Sequence, residues 1–323
     1  MEVLAPLAVP SDKTNLDTSF WRIQSYGCVD STNRIIKDAL AQGSGEGLCA
    51  VALKQSGGYG RQGRLWESPL GGLYTSFALT PSHHGVSLDK LPLVSLVMSV
   101  ALRRALSKWC DASKLAIKWP NDLLFDGGKI AGISLEAISG GVCVGIGINV
   151  FASQDAASKS IGKYSLSYLG NELNCLSSEE NDITVEEKGR TGVFAEGKEL
   201  TGSFIESQSS ETAEDDLTSI QRKVLTQILF DMLHEVQHCY LKWCTEGFEP
   251  FKDEYRSHMA FRGTRATLEA LDGSVFAQGT IAGIDDQGQL LLETAPGKLV
   301  AVQSGEVHVS SLDINEVHVR SLH

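Results

Sequence analysis

Apolar and polar positions divide this chain into strands and helices before any motif is considered. Ile35, Ile36, Ala39 and Leu40 recur at helical spacing behind Asp30-Ser31-Thr32-Asn33, which predicts a helix with Ser31 or Thr32 as its N-cap. The segment from Gly43 to Gly47 ends it. Residues 48–53 form a continuous apolar run that reads as a buried strand, and 73–79 carry a second strand pattern. A helical stretch rich in Leu, Val and Ala runs from 91 to about 109. Three strand-like runs follow at 115–119, 130–136 and 142–150, with Asp126-Gly127-Gly128 as a tight turn between the first two. Helical periodicity returns from 217 to about 243. The last region holds short strands at 265–271, 275–284, 290–293 and 299–302, parted by glycine turns, and this predicts a small β-barrel. The tail repeats 306–312 at 316–322, a duplicated last strand from which no chemistry follows.

Composition adds little until the charge is located. With 323 residues and 42% hydrophobic positions the chain can bury a full core, in two domains of unequal size. No apolar run approaches the roughly twenty residues that span a bilayer. The N-terminus lacks a basic region ahead of an apolar core, so no secretory signal is read there. Seven scattered cysteines without paired spacing predict reduced thiols and a cytoplasmic setting. The net charge of −12 is concentrated: residues 171–216 hold thirteen acids against Lys188, Arg190 and Lys198, ten of the twelve net charges. That Ser-, Glu- and Gly-rich segment reads as a flexible insertion. The remainder is near neutral, which permits a phosphate-binding core and argues against non-specific nucleic-acid binding.

The chemistry-bearing residues cluster in a few places. Gln55-Ser56-Gly57-Gly58-Tyr59-Gly60-Arg61-Gln62-Gly63-Arg64 sets four glycines around two arginines, a backbone able to approach an anion closely. Gly58 to Gly63 matches G-x-G-x-x-G, yet the turn-rich residues 66–72 and then a strand follow, where a dinucleotide fingerprint needs a helix. The loop therefore reads as a flap over a phosphate-bearing ligand. Lys118-Trp119-Pro120-Asn121-Asp122 brings a cation, an aromatic, an amide and a carboxylate to a strand end that Pro120 terminates; an ordinary strand-to-turn exit has the same composition. Lys129, just past Gly127-Gly128, suits either a phosphate or solvent. His234-Glu235-Val236-Gln237-His238 is literally H-E-x-x-H, a zinc-peptidase pattern, with Glu254 or His258 as third-ligand candidates. Its histidines fall on the polar helix face with Asp231 and Lys242, away from the stripe of Leu225, Ile228, Leu229, Met232, Leu233 and Val236.

Taken together, Asp30-Ser31-Thr32-Asn33, the loop from Gln55 to Trp66, Lys118 to Leu123, Gly128-Lys129-Ile130-Ala131-Gly132-Ile133 and Gly145-Ile146-Gly147-Ile148-Asn149-Val150 resemble, in order and spacing, the biotin protein ligase family. Tyr164-Ser165-Leu166 and the stretch from Gly283-Ile284-Asp285 to Gly305-Glu306-Val307 extend the resemblance to nearly the whole chain outside the acidic insertion. It implies an α+β fold. A catalytic domain over 1–260 would have a mixed β-sheet with flanking helices, followed by an SH3-like β-barrel over 261–323. It implies that biotin and MgATP give biotinyl-5′-AMP and pyrophosphate, after which a lysine of a biotin carboxyl carrier protein takes the biotinyl group. Catalytic roles fall by resemblance on Arg61, Lys118, Lys129 and Asp122. Biotin contacts fall on Ser31, Thr32, Asn33, Gln55, Gly58, Tyr59, Gly60, Arg61, Lys129, Gly132 and Ile133. ATP and adenylate contacts fall on Arg61, Arg64, Trp66, Lys118, Asn121 and Asn149, with magnesium arriving on ATP near Asn121 and Asp122.

The resemblance departs in places. Tyr59 stands where many members carry a basic residue, and no winged helix-turn-helix precedes the core, so a monofunctional ligase with no DNA partner and no membrane partner is expected; a homodimer stays open. The alternatives are a lipoate or octanoyl ligase or transferase of the same fold, a non-catalytic biotin-binding protein, and the zinc peptidase.

Overall fold

A computed structural model describes residues 19–138, 141–153, 165–170, 173, 217–270 and 272–309. Tyr164, all of the acidic insertion but Leu173, and the second copy of the duplicated tail strand lie outside the described residues. The central sheet is mixed, in the order β1-β2-β3-β7-β6-β5-β4, and a five-stranded antiparallel sheet in the order β11-β10-β9-β8-β12 forms the SH3-like C-terminal part. The chain forms two compact units interleaved in sequence. Met1–Thr80, Leu135–Ala157 and Tyr168–His234 make the first, and Pro81–Ser134, Ser158–Ser167 and Glu235–His323 the second.

In the first unit β1 (Arg22–Val29) pairs parallel with β2 (Leu48–Gln55), in register Arg22↔Leu48 to Val29↔Gln55. A parallel pair needs a crossover, and helix α1 (Thr32–Ala41) provides it. α1 lays Ile36 and Leu40 on the sheet face made by Ala50, Ala52, Ala78 and Cys143, small residues that let the helix approach. Burying Ile36 alone is worth about 1.5–3 kcal/mol. β3 (Leu73–Leu79), buried along its whole length, pairs antiparallel with β2 and with β7 (Gly141–Ile148).

In the second unit the apolar helix α2 (Leu91–Leu106) ends three residues before the sequence reading placed its end. β4 (Leu115–Lys118) and β5 (Asp122–Phe125) form a hairpin across Trp119-Pro120-Asn121, and the Trp119–Pro120 peptide is cis. β5 was not anticipated from the sequence, and the Asp126-Gly127 turn joins it to β6 (Gly128–Ile138). Asp126 and Gly127 both take positive φ, at 49° and 78°, as a two-residue hairpin turn requires. Helix α3 (Ser219–Glu246) is followed by α4 (Glu249–Ser257), a separate short helix with Pro250 in its first turn.

The strands β8 (Arg265–Glu269), β9 (Val275–Ile284), β10 (Leu290–Ala295), β11 (Lys298–Val302) and β12 (Glu306–Val309) bury Ala266, Leu268, Ile281, Ile284, Leu290, Leu292 and Val307. Within this second unit the end of β9 and the β9–β10 turn are fastened to the β4–β5 loop, to α4 and to α2. Trp119 Nε1 donates to Gly288 O at 2.9 Å, and Arg256 donates to Ile284 O through Nε at 3.1 Å. A Cβ on Gly288 would lie 2.8 Å from Leu96 Cδ2 and 2.9 Å from Leu93 Cδ2.

Candidate active site

The first unit carries a buried polar network at the start of α1. Ser31 occupies the N-cap with extended backbone, yet its side chain makes no capping hydrogen bond. Gln55 caps the helix instead: its Oε1 accepts from Thr32 N at 2.9 Å and from Thr32 Oγ1 at 3.1 Å, while Nε2 donates to Ser68 Oγ at 2.8 Å. Thr32 Oγ1 also lies 2.7 Å from Ser76 Oγ, which donates to Asn33 Oδ1 at 2.6 Å. Ser31, Thr32, Asn33 and Ser76 are all buried. Two hydroxyl protons thus serve three contacts, Thr32–Gln55, Thr32–Ser76 and Ser76–Asn33. Ser68 and Ser76 were absent from the sequence reading. Their only signal is a hydroxyl at an inward strand or loop position, which ordinary cores also contain.

The glycine loop of the same unit is a short hairpin with a folded tip. Gln55 bridges Ser68, Tyr59 bridges Leu65, Trp66 N donates to Gly58 O at 2.9 Å, and Gly60 N donates to Arg64 O at 2.8 Å. Arg61 opens a 3-10 turn at the tip, where Gln62 and Gly63 take φ of 61° and 73°; Arg61 is half-buried and Arg64 exposed. The stem admits no side chain at Gly58, where a Cβ would meet Trp66 O at 2.6 Å. The Trp66 indole lies against β7: a Cβ on Gly147 would come within 2.6 Å of Trp66 Nε1. Asn149 lies two residues further along that strand end, buried, with its carbonyl accepting from Leu169 N at 3.2 Å. Burial pushes the Tyr59 phenol above its ordinary pKa.

In the second unit three predicted residues align across three strands, in register Lys118↔Asp122 and Asp122↔Gly132. Lys118 is buried, and Lys129 Nζ pairs with Asp122 Oδ1 at 2.8 Å. Asn121 is clamped to β6 on both sides: its Nδ2 donates to Ile133 O at 2.7 Å, and its carbonyl accepts from Ile133 N at 2.9 Å. Tyr255 of α4, a residue outside the sequence reading, is fully buried; burial raises its phenol pKa and the charge on Asp122 adds to the rise.

The structure disposes differently of the other motif. Glu235 pairs with Lys108 at 3.5 Å, Glu254 is held by Arg104 through Nε at 3.1 Å, and His258 Nδ1 lies 2.8 Å from Glu254 O. His238 is exposed, and among the described residues no group of three His, Cys, Asp or Glu could hold a metal. The six described cysteines are free, and burial pushes Cys49, Cys143 and Cys239 up to about 12, so these three are protonated at neutral pH and poor nucleophiles.

Two family models match in chain order: the biotin/lipoate A/B protein ligase family over residues 26–151 and the biotin protein ligase C-terminal domain over 262–309. The chain belongs to the biotin protein ligase family. The biotin–[acetyl-CoA-carboxylase] ligase of Paracoccus denitrificans is 29% identical over 278 residues, 84% of this chain and 94% of that protein. The bifunctional ligase/repressor BirA of Bacillus spizizenii is 28% identical, across 83% of this chain and 68% of its own length. Among solved structures, the biotin protein ligase of Aquifex aeolicus in complex with biotin and ATP superposes with a TM-score of 0.60 at 23% identity, covering 90% of this chain and 98% of that one. The Leishmania major enzyme in complex with biotinyl-5-AMP gives 0.52 at 20% identity, over 88% and 99%. Both structural likenesses concern the fold. No helix among the described residues is long and apolar enough to cross a membrane.

Proposed function

We propose that this protein is a biotin protein ligase that joins biotin to AMP and passes the biotinyl group to a lysine of a biotin carboxyl carrier protein. The observation that carries the reading over a lipoate or octanoyl enzyme is the biotin protein ligase C-terminal domain at 262–309, in order behind the shared ligase domain.

In the first step a biotin carboxylate oxygen attacks the α-phosphorus of ATP and the bond to pyrophosphate breaks. The charge gathered there calls for fixed cations rather than proton transfer. Lys118 and Lys129 are assigned to it, with Arg61 on the flap. Lys129 pairs with Asp122, so neither charge is buried alone. The network around Thr32, Asn33 and Gln55 gathers amide and hydroxyl oxygens, which suit a ureido group bringing N–H donors. Ser31, Gly58, Tyr59, Gly60, Gly132 and Ile133 complete the biotin assignment, with Arg61 and Lys129 shared between biotin and the phosphate. Trp66, Asn149 and Arg64 are assigned to the nucleotide.

In the second step the lysine ε-amine attacks the acyl carbon, AMP leaves and the amine loses a proton. Asp122 is the group assigned to receive or orient that amine. Asp122 and Asn121 offer hard oxygen donors of the kind magnesium accepts alongside ATP phosphates, and the ion would neutralise triphosphate charge. The carrier domain, a cytoplasmic setting and a domain boundary near 260/261 belong to the same proposal.

The test is pyrophosphate release with biotin or lipoate as the acid, followed by labelling of a biotin carboxyl carrier domain. Biotin-dependent release with carrier labelling is expected. Activation of lipoate alone would sink the assignment, and biotin binding without carrier labelling would favour a non-catalytic binder.

A further inference from the structure

The hairpin that bears Arg61 is gripped at its stem by residues that no motif marks. Tyr59 Oη donates to Glu136 Oε1 at 2.9 Å, and the other oxygen of Glu136 accepts from Lys37 Nζ at 2.7 Å. The same ammonium stands 5.2 Å from the centroid of the Tyr59 ring. Tyr59 is therefore held at its hydroxyl by a carboxylate and at its face by a cation, and those two groups hold each other. Lys37 comes from α1 and Glu136 from the last residues of β6, both within the first unit, so the grip ties the loop to regular structure at two points. Both side chains are partly shielded, exposed by 25% and 32%, where charge-assisted bonds are screened less than on open surface.

The position of Tyr59 makes the grip consequential. It sits in the hairpin stem, bridged to Leu65, two residues before Arg61. Four glycines within 57–63 give this loop a large conformational entropy, so an ordered form needs an anchor. Its hydroxyl engages a carboxylate of the fold and its ring an ammonium, which gives the loop a mechanical hold.

We infer that Lys37 and Glu136 are positioning residues of the flap, which hold Tyr59, and through it the Arg61 hairpin, in the conformation that retains the activated ligand. The inference rests on the biotin ligase reading. Neither residue is assigned to touch substrate. Their effect falls on how long the adenylate stays rather than on how fast it forms.

The experiment uses the full chain with Lys37→Met, Glu136→Gln and the conservative Lys37→Arg. Three quantities are read: biotinylation of a bystander protein in the presence of biotin and ATP, initial pyrophosphate release, and amide hydrogen exchange over residues 57–66 without ligand. Lys37→Met and Glu136→Gln should label the bystander about three- to tenfold faster, the size expected for losing one charge-assisted bond. Initial pyrophosphate release should stay within about twofold of wild type. Exchange over 57–66 should quicken, and Lys37→Arg should restore both readouts. Unchanged labelling and exchange in both disruptive variants would overturn the inference. So would a parallel fall of labelling, pyrophosphate release and melting temperature, which is what a merely structural pair produces. A wild-type protein that releases no pyrophosphate with biotin would instead refute the functional reading, and the exchange comparison would still decide whether the pair holds the hairpin.

Discussion

At Gln55 one side-chain amide both caps α1 and closes the polar network, since its carbonyl takes two hydrogen bonds from Thr32 and its nitrogen gives one to Ser68. Gln55→Ala should therefore weaken fold and ligand together. Denaturant unfolding should show a loss of about 1–2 kcal/mol, the value of a helix cap and a buried hydrogen bond. Calorimetry should show biotin affinity falling by about tenfold or more, since acceptors built for a polar ligand are costly to leave unmatched. Lys129→Ala removes a cation and also strands the Asp122 carboxylate. Adenylate formation should fall further than transfer from supplied adenylate; equal loss in both half-reactions would contradict the role given to Lys129. Lys37 adds a pH statement. Burial alone would lower its pKa, but the bonds to Glu136 and Tyr59 outweigh this and raise it to about 12, from 10.5. A raised lysine stabilises fully below its unfolded value and loses that contribution as pH climbs through the folded one. Urea midpoints should show no Lys37-dependent change from pH 6 to 9, and the difference between wild type and Lys37→Met should shrink only above about pH 10.5. The sequence exposed Gln55, Thr32 and Lys129 because they lie in short glycine-marked runs. It concealed Glu136, which meets Tyr59 across 77 positions and Lys37 across 99, distances over which local pattern carries no information.

Among the elements, the hairpin of 55–68 and strand β7 make the sharpest expectations. An alanine at Gly147 must displace the Trp66 ring, because its Cβ would stand 2.6 Å from the indole. Gly147→Ala should raise the KM for ATP by about tenfold or more while biotin affinity changes little, a split that titration with each ligand would reveal. Arg61→Gly should leave the stem bonds of Tyr59, Trp66 and Gly58 in place and yet release adenylate, read as labelling of bystander lysines; unchanged retention would remove Arg61 from the flap's function. Most elements were legible, since β2, β3, α1, α2 and α3 follow from apolar period and glycine punctuation. β5 was not, because Pro120-Asn121 reads as the end of a strand and only the register Lys118↔Asp122 shows that the chain turns and pairs again. α4 escaped for a related reason: Glu249-Pro250 looks like a break, whereas proline in a first helical turn fits without loss.

For the whole molecule the fastening of the C-terminal sheet in the second unit matters most. Gly288 has φ of 74°, its carbonyl receives the Trp119 indole, and its missing side chain leaves room for Leu93 and Leu96. Gly288→Ala should cost about 1–2 kcal/mol for the left-handed backbone alone, measurable as a lower melting temperature. Trp119, which the sequence offered as a member of a ligand-facing motif, spends its only donor on this joint, so Trp119→Phe should loosen the C-terminal sheet to proteolysis. The order in which the chain visits its two units has a consequence for biosynthesis. The first unit draws on residues up to 234 and the second begins at 81 and closes only with the final strands. A ribosome releasing this polypeptide from its N-terminus can therefore complete neither unit early, and the pairing of β3 with β7 must wait for the residues from 80 to 140 to emerge. Nascent chains stalled anywhere before α3 should stay protease-sensitive and chaperone-bound, with protection arriving late rather than in two separate steps.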